Sequence, residues 1–372
     1  MFLIPLVVIE LGRPFRKSGV ERAVTEKTRG AIEMYAKAEK KIFAVDVGGT
    51  STRFGTFLAG RRVDGTLELR REGSAWIESN RAQRFPELFA VLFREEKLAF
   101  APKDADFVSI AAAGPVRDGR YCQLTNLPWE IDLVAAASEV GFRDCTLIND
   151  LVAQAFSTRT DARASAQLVC GGEADPVGTI AVVAPGTGLG KAALVSRGDG
   201  GYSAIPSEGG HAQFVVESEE ELAFARFVAQ TSGLRHATWE EVISGQGLPH
   251  LSAFLLGETL APEEVGQRFS SEPKLLEWMT KFLARACRNF AMELLSTGGV
   301  FLAGGIPVKN PQLVTSELFE REFRSVAKHQ ALFDRMPVWM ITDQESALWG
   351  GAYAAAQLLG LVGKPLPHLG GE

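Results

Sequence analysis

Cysteine is scarce and unpatterned. The 372 residues include four, Cys122, Cys145, Cys170 and Cys287, and no two form a C-x-x-C pair. That spacing offers neither a zinc site nor a disulfide framework, and a reducing cytoplasm is the simplest home. Blocks of one charge are also missing. Net charge is −6 with no basic stripe, which argues against nucleic acid as a partner. No apolar run is long enough to cross a bilayer. Residues 1–9 are apolar but too short, and they lack the basic start and the cleavage site of a signal peptide. No membrane association is expected. The Gly-x4-Gly-Lys-Ser/Thr phosphate loop is absent: Gly190–Lys191 precedes Ala192 and has no upstream glycine at the required spacing. Low-complexity tracts and long linkers are lacking too.

What remains is an ordinary globular composition, 46% hydrophobic and 23% charged, in a length suited to about two domains. Residues 1–40 stand apart. After the apolar start, 13–41 are rich in charge and resemble an exposed helix, so this segment reads as an extension outside the fold.

From residue 41 onward, strand-like and helix-like patterns alternate. Strands are expected at 42–47, 53–58, 106–112, 145–149, 179–184, 191–196, 299–303 and 337–342. Helices are expected at 84–97, 132–140, 150–157, 219–230, 239–245, 274–296 and 344–359. Ser218 with Glu221 and Thr238 with Glu241 have capping-box spacing. Gly298–Gly299 should end the long helix at 274–296. Such alternation predicts α/β layers around mainly parallel sheets, with the domains packed closely across a cleft.

Two segments share one design. IFAVDVGGTSTRFGTFL at 42–58 and TIAVVAPGTGLGKAALV at 179–195 are each an apolar run, a Gly/Thr turn and a second strand-like run. Glycine leaves backbone N–H groups open to an anion. The pair points to two related lobes gripping the phosphates of one nucleotide. A dinucleotide fingerprint at Gly186, Gly188 and Gly190 fits less well, because that motif opens a helix and here a strand-like run continues.

Polar residues collect at the ends of these runs. Asp46 precedes Gly48, Gly49 and Thr50, where a carboxylate can hold hydrated magnesium beside phosphates. Asn149–Asp150 ends the run Thr146–Ile148, at a strand's carboxyl end where ligands bind in open α/β sheets. Asp150 is placed to touch substrate and to cap the helix that follows. In PSEGGH, Glu208 and His211 flank a Gly–Gly pair that allows a sharp bend and converges two hydroxyl-binding groups. LTNLPW adds Asn126 and an aromatic ring, Trp129, whose simpler role is a core anchor. Gly304–Gly305 ends another strand and suits backbone contact with a base or ribose.

Together, IFAVDVGGTSTRFG, LTNLPW, LINDLVAQA, APGTGLG, PSEGGH, EEVISGQGL and VFLAGGI resemble the bacterial-type glucokinases, in the same order and from about residue 42 to about 358. The resemblance implies an α/β, two-domain, actin-like (RNase H-like) fold with an interdomain cleft. A small domain would comprise 41–160 and 341–372, and a large domain 161–340. It implies phosphorylation of glucose at O6, with ATP and magnesium. Asp150 would then be the catalytic base. Asn126, Asn149, Glu208, His211 and Glu240 would bind sugar, Glu240 sharing its motif with Glu241. Gly48, Gly49 and Thr50 would form the first phosphate turn, with Asp46 serving the metal. Gly186, Thr187 and Gly188 would form the second, and Gly304 and Gly305 the adenosine turn. The zinc-binding cysteine cluster of the repressor-and-kinase sugar kinases is missing, which sets the chain apart from that branch. A homodimer is compatible with the resemblance.

The residues themselves leave the donor open among ATP, ADP and polyphosphate. Other functions also stand: a hexokinase of broader range, an actin-like ATPase without a sugar, or a silent sugar sensor. The cluster Glu208, His211 and Glu240 argues against a bare ATPase, and intact Asp46 and Asp150 argue against a sensor.

Overall fold

The computed structural model describes residues 39–125 and 127–363. Most of the expected extension, 1–38, and the expected sugar ligand Asn126 lie outside the described residues. Lys40 is already in the first strand. Its Nζ donates to Asp106 Oδ1 at 2.9 Å, so the fold begins slightly before residue 41.

Strands β1 (Lys40–Val47), β2 (Ser51–Arg61), β3 (Leu67–Glu78) and β4 (Phe107–Ala112) lead into a short meander, β5 (Val116–Arg117), β6 (Tyr121–Gln123) and β7 (Glu130–Asp132), before β8 (Cys145–Asn149) returns. The first sheet has the order β3-β2-β1-β4-β8. Then β9 (Gln167–Cys170), β10 (Ile180–Pro185), β11 (Leu189–Ser196), β12 (Tyr202–Ser207), β13 (Gly299–Leu302) and β14 (Val338–Met340) form a second sheet in the order β12-β11-β10-β13-β14-β9. The two sheets repeat one plan. Each contains an antiparallel hairpin, β1–β2 or β10–β11, whose first strand also has a parallel neighbour, β4 or β13. The duplicated design of the sequence is therefore a duplicated topology.

The expectation of mainly parallel sheets needs correction. Both sheets are mixed, because a hairpin turn of a few residues can join only antiparallel strands. Six strands also lie outside the expected set: β3, the short β5, β6 and β7, and the edge strands β9 and β12. In β3, LELRREGSAWIE, charge masks the alternation. In β12 a proline sits on an edge strand, where a missing N–H is tolerated.

Twelve helices cover the sheets among the described residues: α1 (Phe85–Glu95), α2 (Leu133–Val140), α3 (Asp150–Ser157), α4 (Glu219–Thr231), α5 (Glu240–Ile243), α6 (Leu248–Leu256), α7 (Pro262–Arg268), α8 (Pro273–Leu294), α9 (Gly305–Lys309), α10 (Glu317–Arg324), α11 (Gln330–Arg335) and α12 (Ser346–Leu358). Helix α1 buries Phe85 and Phe89 against Phe43 and Phe54 of the first sheet. Helix α8 buries Phe282 and Leu283 against Ala181 and Val183 of the second. Between the sheets lie α3 and α12, whose Val152, Phe156, Leu348 and Ala352 join Ile42 and Phe57 to Val182 and Phe301. A Cβ on Gly350 would lie 1.7 Å from Ala153 O, so α3 and α12 approach this closely only because that residue is glycine. None of these helices is long and apolar enough to cross a membrane.

Both capping boxes form only in half. Ser218 Oγ accepts from Glu221 N–H at 3.2 Å and Thr238 Oγ1 from Glu241 N–H at 3.3 Å, but neither glutamate returns to its cap. Helix α8 ends earlier than expected, with Leu295 in the left-handed region at φ 51°. Gly299 is needed instead for close approach, since a Cβ there would meet the Trp339 ring at 2.4 Å.

Candidate active site

The first turn joins β1 to β2. Gly48 N–H donates to Ser51 O at 3.1 Å, and a Cβ on Gly48 would sit 2.8 Å from that oxygen. Ser79, fully buried, braces the turn. Its Oγ donates to Gly48 O at 2.7 Å and its N–H to Thr50 O at 3.0 Å. Asp46 is 6% exposed, and Arg53 Nη1 donates to its Oδ2 at 2.7 Å. Burial raises the Asp46 pKa, opposed by the Arg53 charge and hydrogen bond. Ser79 and Arg53 were not singled out in the sequence. A serine beyond a charged strand carries no local signal, and Arg53 is found only through the register of β1 on β2.

The second constellation starts α3. The cap is Asn149, a correction to the capping role expected of Asp150. Asn149 Oδ1 accepts from Leu151 N–H at 2.9 Å and Val152 N–H at 3.3 Å, and its Nδ2 donates to Gly114 O at 3.2 Å. Asp150 is thereby fixed as the first helical residue, with Oδ1 accepting from Leu151 N–H at 2.9 Å. Burial, then the Asp46 charge, push its pKa up to about 7, against the helix N–H bond and with a further push from Glu208. The buried Asp46 and the half-buried Asp150 thus repel each other. The adjoining LTNLPW loop hangs on β4 through Thr125 N–H, 3.0 Å from Ala113 O. Trp129 is the core anchor, packed beside Phe85.

The third constellation comes from the second sheet. Gly209–His211 form a single tight turn. A Cβ on Gly210 would overlap Leu189 O at 2.0 Å, so glycine serves close packing on β11 here rather than a left-handed bend. His211 Nε2 lies 3.7 Å from Glu208 Oε2, and His211 Nδ1 lies 3.6 Å from Glu240 Oε1. Glu240 Oε2 accepts from Leu189 N–H at 2.7 Å. Glu241 turns the other way, toward Ser232 Oγ at 2.9 Å and His250. Glu240 is therefore held between the second turn and the His211 loop.

That second turn is closed by Gly186 N–H to Gly188 O and tied to the α5 side by Gly245 N–H to Gly186 O, both 2.8 Å; it carries Thr187 at its tip. A Cβ on Gly188 would meet Glu240 Oε2 at 2.5 Å. Gly188→Ala should push the Glu240 carboxylate off Leu189 N–H. Overpacking of this kind costs about 1–3 kcal/mol, and steady-state kinetics should show it as weaker sugar use with the fold retained. Gly304, at φ +82°, would place a Cβ 2.5 Å from Pro185 O, which sets the Gly304–Gly305 turn against the end of β10. Gly186 and Gly305 face open space, as backbone contact with a ligand requires. Of the residues expected at the site, all but Asn126 are described; Asp46 and Glu208 both act on the Asp150 charge, and His211 lies between Glu208 and Glu240.

Two Gly/Thr turns, one from each half of a repeated fold, with an acid between them, define a class of two-lobed kinases rather than a single-loop nucleotide fold. The family model described as Glucokinase matches residues 43–358, and the chain belongs to that family. It is 30% identical over 333 residues to a glucokinase of Chromobacterium violaceum, covering 87% of this chain and 91% of that one. A glucokinase of Nostoc is 28% identical over 349 residues, 85% of this chain and 99% of that one. The crystal structure of a glucokinase from an Antarctic psychrotroph superposes with TM-score 0.72 at 23% identity, over 86% of this chain and 99% of that one. The fold is that of the actin-like sugar kinases.

Proposed function

We propose that this enzyme transfers the γ-phosphoryl group of ATP to O6 of glucose, with Asp150 as the base. The observation that supports it best is the position of Asp150, fixed at the start of α3 and raised to a pKa of about 7. A base works best when its pKa lies near the working pH. Phosphoryl transfer otherwise depends on positioning and charge neutralisation. The Gly48–Thr50 and Gly186–Gly188 turns hold phosphates with backbone N–H groups. Gly304 and Gly305 lie against adenosine. Asn149, Glu208, His211 and Glu240 orient the sugar, and Asp150 takes the proton of the attacking hydroxyl.

Magnesium fits this site. The Asp46–Asp150 repulsion is what a dication relieves. No cluster of three metal-binding side chains occurs among the described residues. A hard cation of this kind is usually held by one or two carboxylates, waters and substrate phosphates. When bound, it neutralises charge developing on the phosphates; Asp46 is the residue that would hold it.

The test is nucleotide consumption with and without glucose, mannose and fructose. Strong dependence on glucose supports the reading, whereas equal turnover without sugar would make the protein an ATPase. The pH profile is a second check. Asp150 must be ionised to act, so kcat/KM for glucose should rise from pH 6 to pH 8 with its midpoint near 7. A profile that falls across that range would count against Asp150 as the base, and added magnesium should move the midpoint downward as it relieves the Asp46 repulsion.

A further inference from the structure

We propose that Trp76 is a positioning residue for the phosphate end of the site, acting through Arg53; this rests on the kinase reading above. Asp46, Arg53 and Trp76 form one rung across three strands. Asp46 stands opposite Arg53 in the β1–β2 pair, and Arg53 opposite Trp76 in the β2–β3 pair. Directly opposed residues of antiparallel strands share a face with Cβ atoms about 5 Å apart. Arg53 accordingly reaches Asp46 Oδ2 at 2.7 Å while its guanidinium lies 4.4 Å from the centroid of the Trp76 ring. Arg53 Nε is buried and has no hydrogen-bond partner among the described residues. The Asp46 carboxylate and the indole face are what hold this cation.

The indole is itself held. Its Nε1–H donates to Glu345 Oε1 at 2.7 Å, and the other Glu345 oxygen meets Arg71. Glu345 immediately precedes α12, where Ser346 Oγ accepts from Gln154 Nε2 of α3 at 2.8 Å. The rung therefore runs from the carboxylate beside the first phosphate turn to the pair of helices that includes Asp150. Trp76 is 44% exposed, far more than its core neighbours on β3, so packing alone does not account for it. Its removal takes away the wall against which Arg53 leans. The guanidinium is then free to swing off Asp46, and the first turn loses a fixed charge.

The test uses the full chain with Trp76→Ala, Trp76→Phe and Glu345→Gln. Trp76→Ala should lower kcat/KM for ATP about tenfold, the scale of a partly desolvated cation–ring contact. KM for glucose should stay within about twofold and the melting temperature within a few degrees. Trp76→Phe keeps a ring face and should recover most of the activity. Glu345→Gln, which keeps a carbonyl acceptor for the indole N–H but loses Arg71, should fall between. Unchanged ATP kinetics in Trp76→Ala would overturn the inference, as would equal losses in both tryptophan variants alongside equal drops in melting temperature. Should the parent protein phosphorylate no sugar, the kinase reading fails separately. Calorimetric titration with magnesium-ATP still decides the role of Trp76: weaker binding to Trp76→Ala than to Trp76→Phe supports it, and equal binding overturns it.

Discussion

Asp150→Asn should lose sugar phosphorylation by roughly 10²–10⁴-fold and yet melt at a higher temperature than the parent at pH 8. The two effects share one cause. Burial and the neighbouring Asp46 raise the Asp150 pKa to about 7 from 3.8, so the native state prefers the neutral acid. A group raised in this way contributes stability that is fully present below its unfolded value, near 4, and is lost as pH rises through about 7. At pH 8 the carboxylate is charged and is a liability to the fold. Asparagine removes that charge and keeps an oxygen for Leu151 N–H, the one hydrogen bond that Asp150 accepts among the described residues. Each pKa unit corresponds to about 1.4 kcal/mol, so even part of the shift should be visible in the melting curve. Well below pH 4, where Asp150 is neutral in the folded and the unfolded chain alike, the stability difference should shrink toward zero. Near-normal turnover in a folded Asp150→Asn protein would remove Asp150 as the base. A lower melting temperature at pH 8 would instead mean that the carboxylate is held by contacts that outweigh its desolvation.

Legibility followed locality. The two Gly/Thr hairpins were plain in the sequence because strand, turn and strand are contiguous and their apolar residues unbroken. The core helices were plain for the same reason, as at 84–97 and 219–230, where structure departs by a residue or two. Asp46, Asp150, Glu208 and His211 could be picked out because each ends an apolar run or flanks a glycine pair. What stayed hidden depended on register. Arg53 acquires meaning only when β2 lies antiparallel on β1, and Trp76 only when β3 lies on β2. In β3 itself the run of charges Arg70, Arg71 and Glu72 breaks the strand alternation. Ser79 braces the first turn from 31 residues away. The opposite orientations of Glu240 and Glu241 also needed the fold, since α5 turns one toward Leu189 and the other toward Ser232. Helix α10, ELFEREFR, buries only Phe319 and Phe323 among charges, too sparse an apolar stripe to read in isolation.

Replacing Glu240 should weaken sugar use more than replacing Glu208, although both carboxylates belong to the same cluster. The Glu208 side chain is 78% exposed, whereas that of Glu240 is 17% exposed. An exposed carboxylate that gains a sugar hydroxyl gives up water to do so, and the net gain is small. Glu240 is already desolvated and already fixed by Leu189 N–H at 2.7 Å, so its free oxygen meets a hydroxyl with little reorganisation. Hydrogen bonds to charged groups are worth about 1.5–3 kcal/mol, and a buried partner left unpaired adds its own penalty. Glu240→Ala should therefore raise KM for glucose by about 10–100-fold or more. It also frees Leu189 N–H at the edge of the second turn and removes the neighbour of His211 Nδ1. A smaller rise in KM for ATP should accompany the sugar defect, because Gly186–Gly188 loses its strut. Glu240→Gln keeps an oxygen for Leu189 N–H and should spare ATP while still impairing glucose. The measurement is KM for each substrate at saturation of the other, in both variants. If Glu240→Ala changes ATP alone, the carboxylate belongs to the nucleotide side, and the sugar must be held by Glu208 and His211 without it.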